Sequence, residues 1–519
     1  MRNILRFCTF AVLCSLALSF VAVTARAQMM ARIVRINGDS SQATVTNPGV
    51  PAVPAILNLA IAEGASIETK AGVELLVETF PGAVATIRQN SAVRLASLRL
   101  VAVGADAGKR AAELELQRGN VISTLDPSKK AITKYGIKTP RGVAAARGTV
   151  YGVSVIPAAG GGGNSSVLVL SGTVVIDRGP GQPPISISFG QAAVNNATEA
   201  SQLSALIAQT PELAADVLAA VGVVADNIAS GTSAAGDLDA AAQLLASVAS
   251  AAVGALPGQV SAIVQSLVGA IVSPRSLFAG NQRAILGAVS GVTDAAVRAV
   301  IGAGGRLSQA GAAAEGAARG FMLGRIMGTL DEARAANPGI SSAALQAIAY
   351  QTAGSEAVTN ALSIIGNVAT GTVVRVLGQS GDAGAAGATA GGIGQATTEG
   401  AAKGAFGALA SAGLPDPQGG FTPPTVKVVV LAGQPGGVTS IDATTGGSKS
   451  SSSWVGAGLD PVTTQTSGPT GQTATVVPPL NLAKPGTGGS SGAGSGAPPR
   501  SNFTPLLPIN PAQNVSPSS

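Results

Sequence analysis

Four features of the chain contain the residue types that chemistry uses. Glu74 and Glu78, and Glu113 and Glu115, are carboxylate pairs at even spacing, so each pair shares one face of an extended strand. Glycosidase-type acid and base work needs two carboxylates opposed across a cleft at roughly 5–10 Å. Neighbours on one strand face do not provide that, and with no apolar pocket to shift a pKa both pairs are expected to face solvent. Gly488-Gly489-Ser490-Ser491-Gly492 spells a nucleophile elbow, yet no strand precedes it, no helix follows it, and the chain contains no histidine to act as base. Gly160 to Gly163 could cradle a phosphate only ahead of a helix; a strand pattern follows, so the segment reads as a hairpin loop. The absence of histidine also removes the usual zinc ligand and the commonest general base. Cys8 and Cys14 both lie in the N-terminal apolar segment, which leaves no thiol chemistry for the rest of the chain. No dense Asp/Asn run closes on a glutamate as a calcium loop requires. The expectation is a non-enzymatic protein with no catalytic residue, no cofactor and no metal site.

The most strongly patterned stretch covers residues 137–176. Thr149, Tyr151, Val153 and Val155 alternate with Val150, Gly152 and Ser154, a period of two that predicts a strand. Val167 to Ile176 predicts a second strand, and the glycine-rich 157–166 between them predicts a β-hairpin. Thr139-Pro140 fixes an extended entry, because the residue before a proline is pushed out of the helical region. Upstream, Gly64-x-x-Ile67-x-Thr69 leads into a strand, Pro81-Gly82 makes a turn, and Ser91-Ala92-Val93-Arg94-Leu95 closes the block. Leu114 to Val121, with Gly119, begins the next one.

In order and spacing these blocks resemble the FecR family of bacterial envelope domains over about residues 30–190. The resemblance implies an all-β domain, sandwich-like or solenoid-like, that receives a signal or binds a partner. It also implies that Thr139, Pro140, Arg147, Gly148, Thr149 and Gly172 serve as framework or as interaction residues. Arg147 has two readings: a guanidinium that satisfies a carboxylate or backbone carbonyls inside the domain, or a ligand contact at its surface. The internal role is preferred, since an arginine beside a glycine turn is well placed to reach carbonyls.

The first residues place the chain in a compartment. Arg2 and Arg6, an apolar run from Phe7 to Val23, and Ala25-Arg26-Ala27 have the layout of a secretory signal peptide cleaved after Ala27. The competing reading is a retained anchor, for which the run is short against the ~20 residues of a spanning helix. Export to the periplasm or cell surface of a Gram-negative-type bacterium is therefore expected. Founding FecR members are inner-membrane transducers between a transporter and a sigma factor. Only six residues precede the apolar run, so on this sequence no cytoplasmic segment reaches a sigma factor, and a stand-alone module fits better. Residues 28–198 hold 16 Lys/Arg against 10 Asp/Glu. This mild positive balance lacks the clustering and stacking platforms of a nucleic-acid interface. The expected partner is an envelope protein or polymer; membrane contact without spanning is allowed, and the oligomeric state is not fixed by the sequence.

Four regions follow: a signal peptide at 1–27, a FecR-like β domain at 28–197, an Ala/Gly-rich helical region at 198–412, and a low-complexity tail at 413–519. In the third, Val, Leu and Ile recur at three- and four-residue spacing, and Pro211, Pro257, Pro274 and Pro338 are placed to start helices. Gly316, Gly320, Gly324 and Gly328 form one four-spaced ladder, and Gly384 through Gly392, Gly400 and Gly404 to Ala412 form another. Such faces allow close helix approach, within the chain or toward a membrane or partner. The charges Glu315, Arg319, Arg325, Glu399 and Lys403 favour packing within the chain. Ala240 to Pro274 is free of charge and is broken by Pro257-Gly258, which predicts an αα-hairpin. In the tail, Val426 to Leu431 could add a strand to the β domain's edge. Beyond Gly433 the composition predicts disorder.

Overall fold

The computed structural model describes residues 29–100, 108–157, 163–195, 197–231, 237–304, 307–377, 383–415, 427–431, 438–442 and 447–451, all within one structural unit, Met1–Pro478. The N-terminal segment, the glycine loop at 158–162, the elbow spelling at 488–492 and Trp454 lie outside the described residues.

Seventeen strands, numbered in chain order, form two sheets that share one member. The first sheet runs β4 (Ala60–Ile61), β1 (Ala31–Gly38), β6 (Val73–Phe80), β7 (Ala83–Ile87), β9 (Arg110–Leu125), β12 (Val150–Ile156), β13 (Asn164–Ser171), β16 (Gln191–Val194) and β17 (Ser201–Gln202). The second runs β3 (Val53–Pro54), β2 (Ala43–Thr46), β5 (Ser66–Thr69), β8 (Ala92–Leu100), β9, β10 (Thr133–Thr139), β11 (Gly142–Ala146), β14 (Thr173–Asp177) and β15 (Ile185–Ser188). All pairs are antiparallel except β9 with β10. Arg110 to Arg118 of β9 pair in the second sheet, and Gly119 to Leu125 pair in the first.

Between the sheets lies a core that includes Ile33, Leu75, Phe80, Leu114, Tyr135, Ile137, Tyr151 and Val153. The domain is thus a sandwich, with alternate residues of each strand turned inward. Strand β12 shows what the period of two achieves. Tyr151, Val153 and Val155 fill the inter-sheet core, while Val150 turns the other way and joins a helical core. The expected hairpin forms, with Ile156 opposite Asn164 and Val153 opposite Val167. Its second strand differs from expectation. Gly172 interrupts it, so that β13 stays in the first sheet while β14 crosses to the second and pairs with β11.

Helices follow: α1 (Leu203–Gln209), α2 (Glu212–Ala229), α3 (Leu238–Ala255), α4 (Val260–Val272), α5 (Gln282–Gly302), α6 (Leu307–Ala336), α7 (Ser342–Ala353), α8 (Glu356–Leu377) and α9 (Ala383–Ser411). α1, α2 and α3 pack on the outer face of the first sheet, and the later helices pack on them and on one another. Ile122, Val150, Leu168, Leu170 and Ala192 share one apolar core with helix residues such as Val217, Val221, Leu244 and Val248. A polar seam runs beside it. Asp216 of α2 accepts from Asn120 (3.1 Å) and Ser154 (2.9 Å), and Arg35 donates to the Asp226 carbonyl and the Ser230 hydroxyl, each at 3.1 Å. The layers are sheet, sheet and helices.

The prolines start helices less often than their positions suggest. Pro211 immediately precedes α2 and Pro257 opens the short 3-10 turn before α4, but Pro274 and Pro338 lie in turns. There the helix starts are set by caps, with Ala284 N donating to Asn281 Oδ1 (3.0 Å) and Ala344 N to Ser341 Oγ (3.2 Å). α3 and α4 form the expected αα-hairpin across the Pro257–Gln259 turn. By length and composition, Leu238–Ala255 and Gln282–Gly302 could each cross a membrane; here 50% and 44% of their apolar windows are buried inside the protein.

Both glycine ladders are used within the chain. A Cβ at Gly316 would meet the Ser261 carbonyl, one at Gly320 the Gln265 carbonyl and the Gly269 N (2.9 Å), and one at Gly324 the Val272 Cβ (3.1 Å), all at or beside α4. On another side of α6, a Cβ at Gly400 would meet the Glu315 carbonyl, and one at Gly404 would lie 2.5 Å from the Arg319 carbonyl. Lys403 then bonds Glu315 at 2.6 Å, pairing two of the charges that interrupt the ladders. α6 is therefore held between α4 and α9 with backbone nearly against backbone.

In the tail region β18 (Lys427–Leu431) does not extend the sandwich. It pairs with β19 (Val438–Asp442), which pairs with β20 (Gly447–Ser451), in a separate antiparallel sheet.

Candidate functional site

Strand β11, five residues or about 17 Å long, separates the six motif residues into two groups. At its start, Thr139 is opposite Gly142 and Pro140-Arg141 form the turn between β10 and β11. The Thr139 hydroxyl donates to the Gly142 carbonyl (3.1 Å) and accepts from Arg141 N (3.2 Å). Thr139 is extended, as the following proline requires.

At the far end of β11, Arg147, Gly148, Thr149 and Gly172 come together with two other turns. Gly148 has φ +65°, and a Cβ there would lie 2.6 Å from Pro127 Cα; Gly172 has φ +80°, and its Cβ would lie 2.6 Å from Thr149 Cγ2. Only glycine fits either position. Thr149 is fully buried; its carbonyl accepts from Leu125 N (2.9 Å), and its hydroxyl has no partner. The neighbouring turn, Pro127–Lys129, is capped by Asp126, which accepts from Ser128 N (2.9 Å) and Ser128 Oγ (2.6 Å) and pairs with Lys129 at 3.3 Å. Asp126 N in turn donates to the Gly82 carbonyl of the Pro81-Gly82 turn at 2.9 Å. Burial alone would raise the Asp126 carboxyl, but the Ser128 hydroxyl and N–H and the Lys129 ammonium together hold it below the usual carboxylate range.

Arg147 stands apart from this framework. It is exposed and makes no hydrogen bond or ion pair among the described residues. The expected internal clamp is therefore not what the structure shows. Its physical reason is local: Leu125 N already satisfies the Thr149 carbonyl and Asp126 N the Gly82 carbonyl. Lys130 is also exposed, with its Cβ 3.4 Å from where a Gly148 Cβ would be. Two cations without an acceptor among the described residues thus flank a rigid turn. Such an arrangement can hold an anion by charge and hydrogen bonding.

Below this end, Arg110 lies over the Phe80 ring at 4.7 Å and donates to Thr133 Oγ1 (3.3 Å), while Tyr135 and Ser123 share a hydroxyl bond of 3.1 Å. Burial lowers the Arg110 guanidinium pKa, with Asp126 opposing, and pushes the Tyr135 and Tyr151 phenols well above their ordinary value. These groups form the floor of the sandwich end.

The carboxylate pairs are dispersed. Glu113 and Glu115 share the open face of the second sheet, where Glu115 meets Arg94 (3.6 Å) and Lys138 (3.4 Å). Glu74 and Glu78 are less open than expected, at 23% and 18% side-chain exposure, because Arg88 (2.8 Å) and Arg32 (2.6 Å) cover them. Neither pair faces a cleft. No group of three or more Asp, Glu, His or Cys forms among the described residues. Sequence reasoning missed Lys130 and the Asp126 cap. The spelling Asp126-Pro127-Ser128 was the available signal, since a capping side chain followed by proline starts such a turn.

Residues 65–175 match the FecR protein family. Among solved structures, a Parabacteroides distasonis protein proposed to be an anti-sigma factor is similar at 14% identity, with a TM-score of 0.20. The similarity covers 26% of this chain and 59% of that one. No curated protein matches the chain. The segment from β5 to β14, which holds both halves of the motif and the shared strand β9, is a FecR domain.

Proposed function

We propose that the protein is a non-enzymatic, exported envelope protein whose FecR domain binds an anionic partner, protein or polymer, at the Arg147 and Lys130 end. One observation carries this reading: the arginine of the most specific motif in the chain is presented to solvent by a framework that does not use it. Gly148 and Gly172 are locked by contacts that tolerate no side chain, and Thr149 is buried between them, so the turn keeps one shape and loses little entropy on binding. Export rests on the tripartite N-terminus, and the helical layer backs the first sheet.

Site-specific photocrosslinking in cells producing the full chain tests this. A crosslinker in place of Lys130 is expected to capture one discrete partner, and one in place of Glu113, on the open face of the second sheet, is not. Identical products from both positions, or none from position 130, would overturn the proposal.

The family match also favours a transducer that signals to a sigma factor. That reading requires a retained N-terminal helix, so N-terminal sequencing that begins at Gln28 would eliminate it.

A further inference from the structure

The register of the second sheet extends the Arg147 end into a row of cations. Arg99 of β8 and Lys134 of β10 both pair with Ala111 of β9, one from each side. Tyr135 pairs with Ala146, so Arg147, the next residue of the chain, falls at the register position beside Lys134. Lys130 joins the row through the Gly148 turn, its Cβ 3.4 Å from where a Gly148 Cβ would be. At about 4.8 Å per strand, the row from Arg99 to Arg147 is about 15 Å long. All four side chains are exposed, and none has a hydrogen bond or ion pair among the described residues. Leu100 and Ile132, 53% and 39% exposed, stand just outside the row at the rim of the sheet. Leu100 pairs with Arg110, and Arg110 N donates to the Ile132 carbonyl (2.9 Å). The first carboxylate inward on this face is Glu113, one row away and opposite Ser97 and Gly136.

We propose that this rim binds an acidic, extended segment of a partner protein, one that carries apolar residues among its carboxylates. The inference rests on the anion-binding reading of Arg147 and Lys130 and names the chemistry of the partner. Four unpaired cations in a line create a positive field that draws in an anionic chain. An extended segment of four or five residues, at about 3.3 Å each, spans the row. The guanidiniums of Arg99 and Arg147 match carboxylates in geometry. Leu100 and Ile132 offer apolar contact that a uniformly hydrophilic polyanion does not use. The row is one residue deep, which selects a linear ligand over a planar one, since an anionic bilayer laid on the face would also meet Glu113. The segment therefore follows the rim and stays clear of position 113.

The test is fluorescence titration of the full chain with a labelled octapeptide of six glutamates and two leucines, and with its glutamine counterpart. Saturable binding of the acidic peptide, at least about tenfold tighter than that of the glutamine peptide, is expected. Arg99→Gln and Lys134→Gln should each weaken it about threefold to fivefold, with melting temperature as the check on folding. If a variant does not fold, the comparison of the two peptides on the unaltered chain still decides. Equal binding of the two peptides, or binding of neither, would overturn the proposal, and capture from position 130 would then leave the broader reading standing. Weakening by Arg147→Met but by neither Arg99→Gln nor Lys134→Gln would overturn the row alone. Phosphatidylglycerol vesicles or polygalacturonate that displace the peptide as well as unlabelled peptide does, at equal charge concentration, would overturn the assignment to a peptide.

Discussion

Replacing Gly320 by alanine puts the close helix packing to a quantitative test, because here two well-known effects oppose each other. In an open helix, Gly→Ala stabilises by roughly 0.5–1 kcal/mol, since alanine loses less backbone entropy on folding. At Gly320 the added Cβ would meet the Gln265 carbonyl and lie 2.9 Å from Gly269 N. Both are backbone atoms and cannot rotate away, so α4 and α6 must separate. Overpacking of this kind costs about 1–3 kcal/mol. The net expectation is a loss of about 1–2 kcal/mol, or a melting temperature lower by roughly 1–3 °C in a body of this size. Gly287 in α5 supplies the control, because a Cβ there meets nothing within 4 Å. Gly287→Ala should raise the melting temperature by about 1 °C. Circular dichroism melts of the two variants of the full chain read the sign directly. If both substitutions stabilise, α4 and α6 are not in backbone contact and the ladder has no packing role.

Three further outcomes are expected. Gly172→Val combines φ +80° with a contact of 2.6 Å to Thr149 Cγ2, and should cost about 2 kcal/mol or more by denaturant unfolding; a neutral result contradicts the locked turn. Asp216 is raised above its ordinary 3.8 by burial, against the opposing effects of Ser154, Arg88 and Asn120. A raised folded-state pKa means that the folded chain binds the proton more tightly, so this group's contribution to stability grows as pH falls through the folded pKa and is complete below 3.8. Asp216→Asn should therefore flatten that part of the profile, which lies above pH 3.8, and an unchanged profile contradicts the seam. Asp126 has the opposite sign. Its lowered pKa contributes stability above 3.8 that is lost as pH falls through the folded value, so Asp126→Asn should weaken the protein at neutral pH and reduce its loss in acid; equal loss in acid contradicts the cap.

How much was legible in the sequence depended on whether the information was local. The alternation in β12 specified both of its faces, because a strand must send Tyr151 and Val150 to opposite sides, and the structure gives each side an apolar layer. The four-residue glycine spacing likewise announced close helix contact. Spacing could not name the partner, which is α4 for one ladder and α6 for the other. The break at Gly172 was hidden because Val174 and Ile176 continue the apolar pattern, and only a positive φ shows that the chain changes sheet. Docking of helices on the sandwich was not readable either. It depends on Val150, Leu168 and Leu170 facing outward, away from the β core, and this is settled by sheet order. For the candidate site, the motif names two glycine turns, Gly148 and Gly172, that the structure brings together, while the internal role expected of Arg147 does not form. The carbonyls it would have served belong to residues whose partners, Leu125 and Asp126, are distant in sequence.

The proposed role of Arg147 is recognition and not folding, and Arg147→Met is the direct test. The full-length variant and the unaltered chain are compared for melting temperature and for crosslinked partner recovered from the envelope. The expected result is melting temperatures that agree within about 1 °C, since an exposed side chain away from packed features changes stability by no more than about 0.5 kcal/mol, together with loss of the crosslinked partner. A large fall in melting temperature, or undiminished partner recovery with melting unchanged, would contradict it.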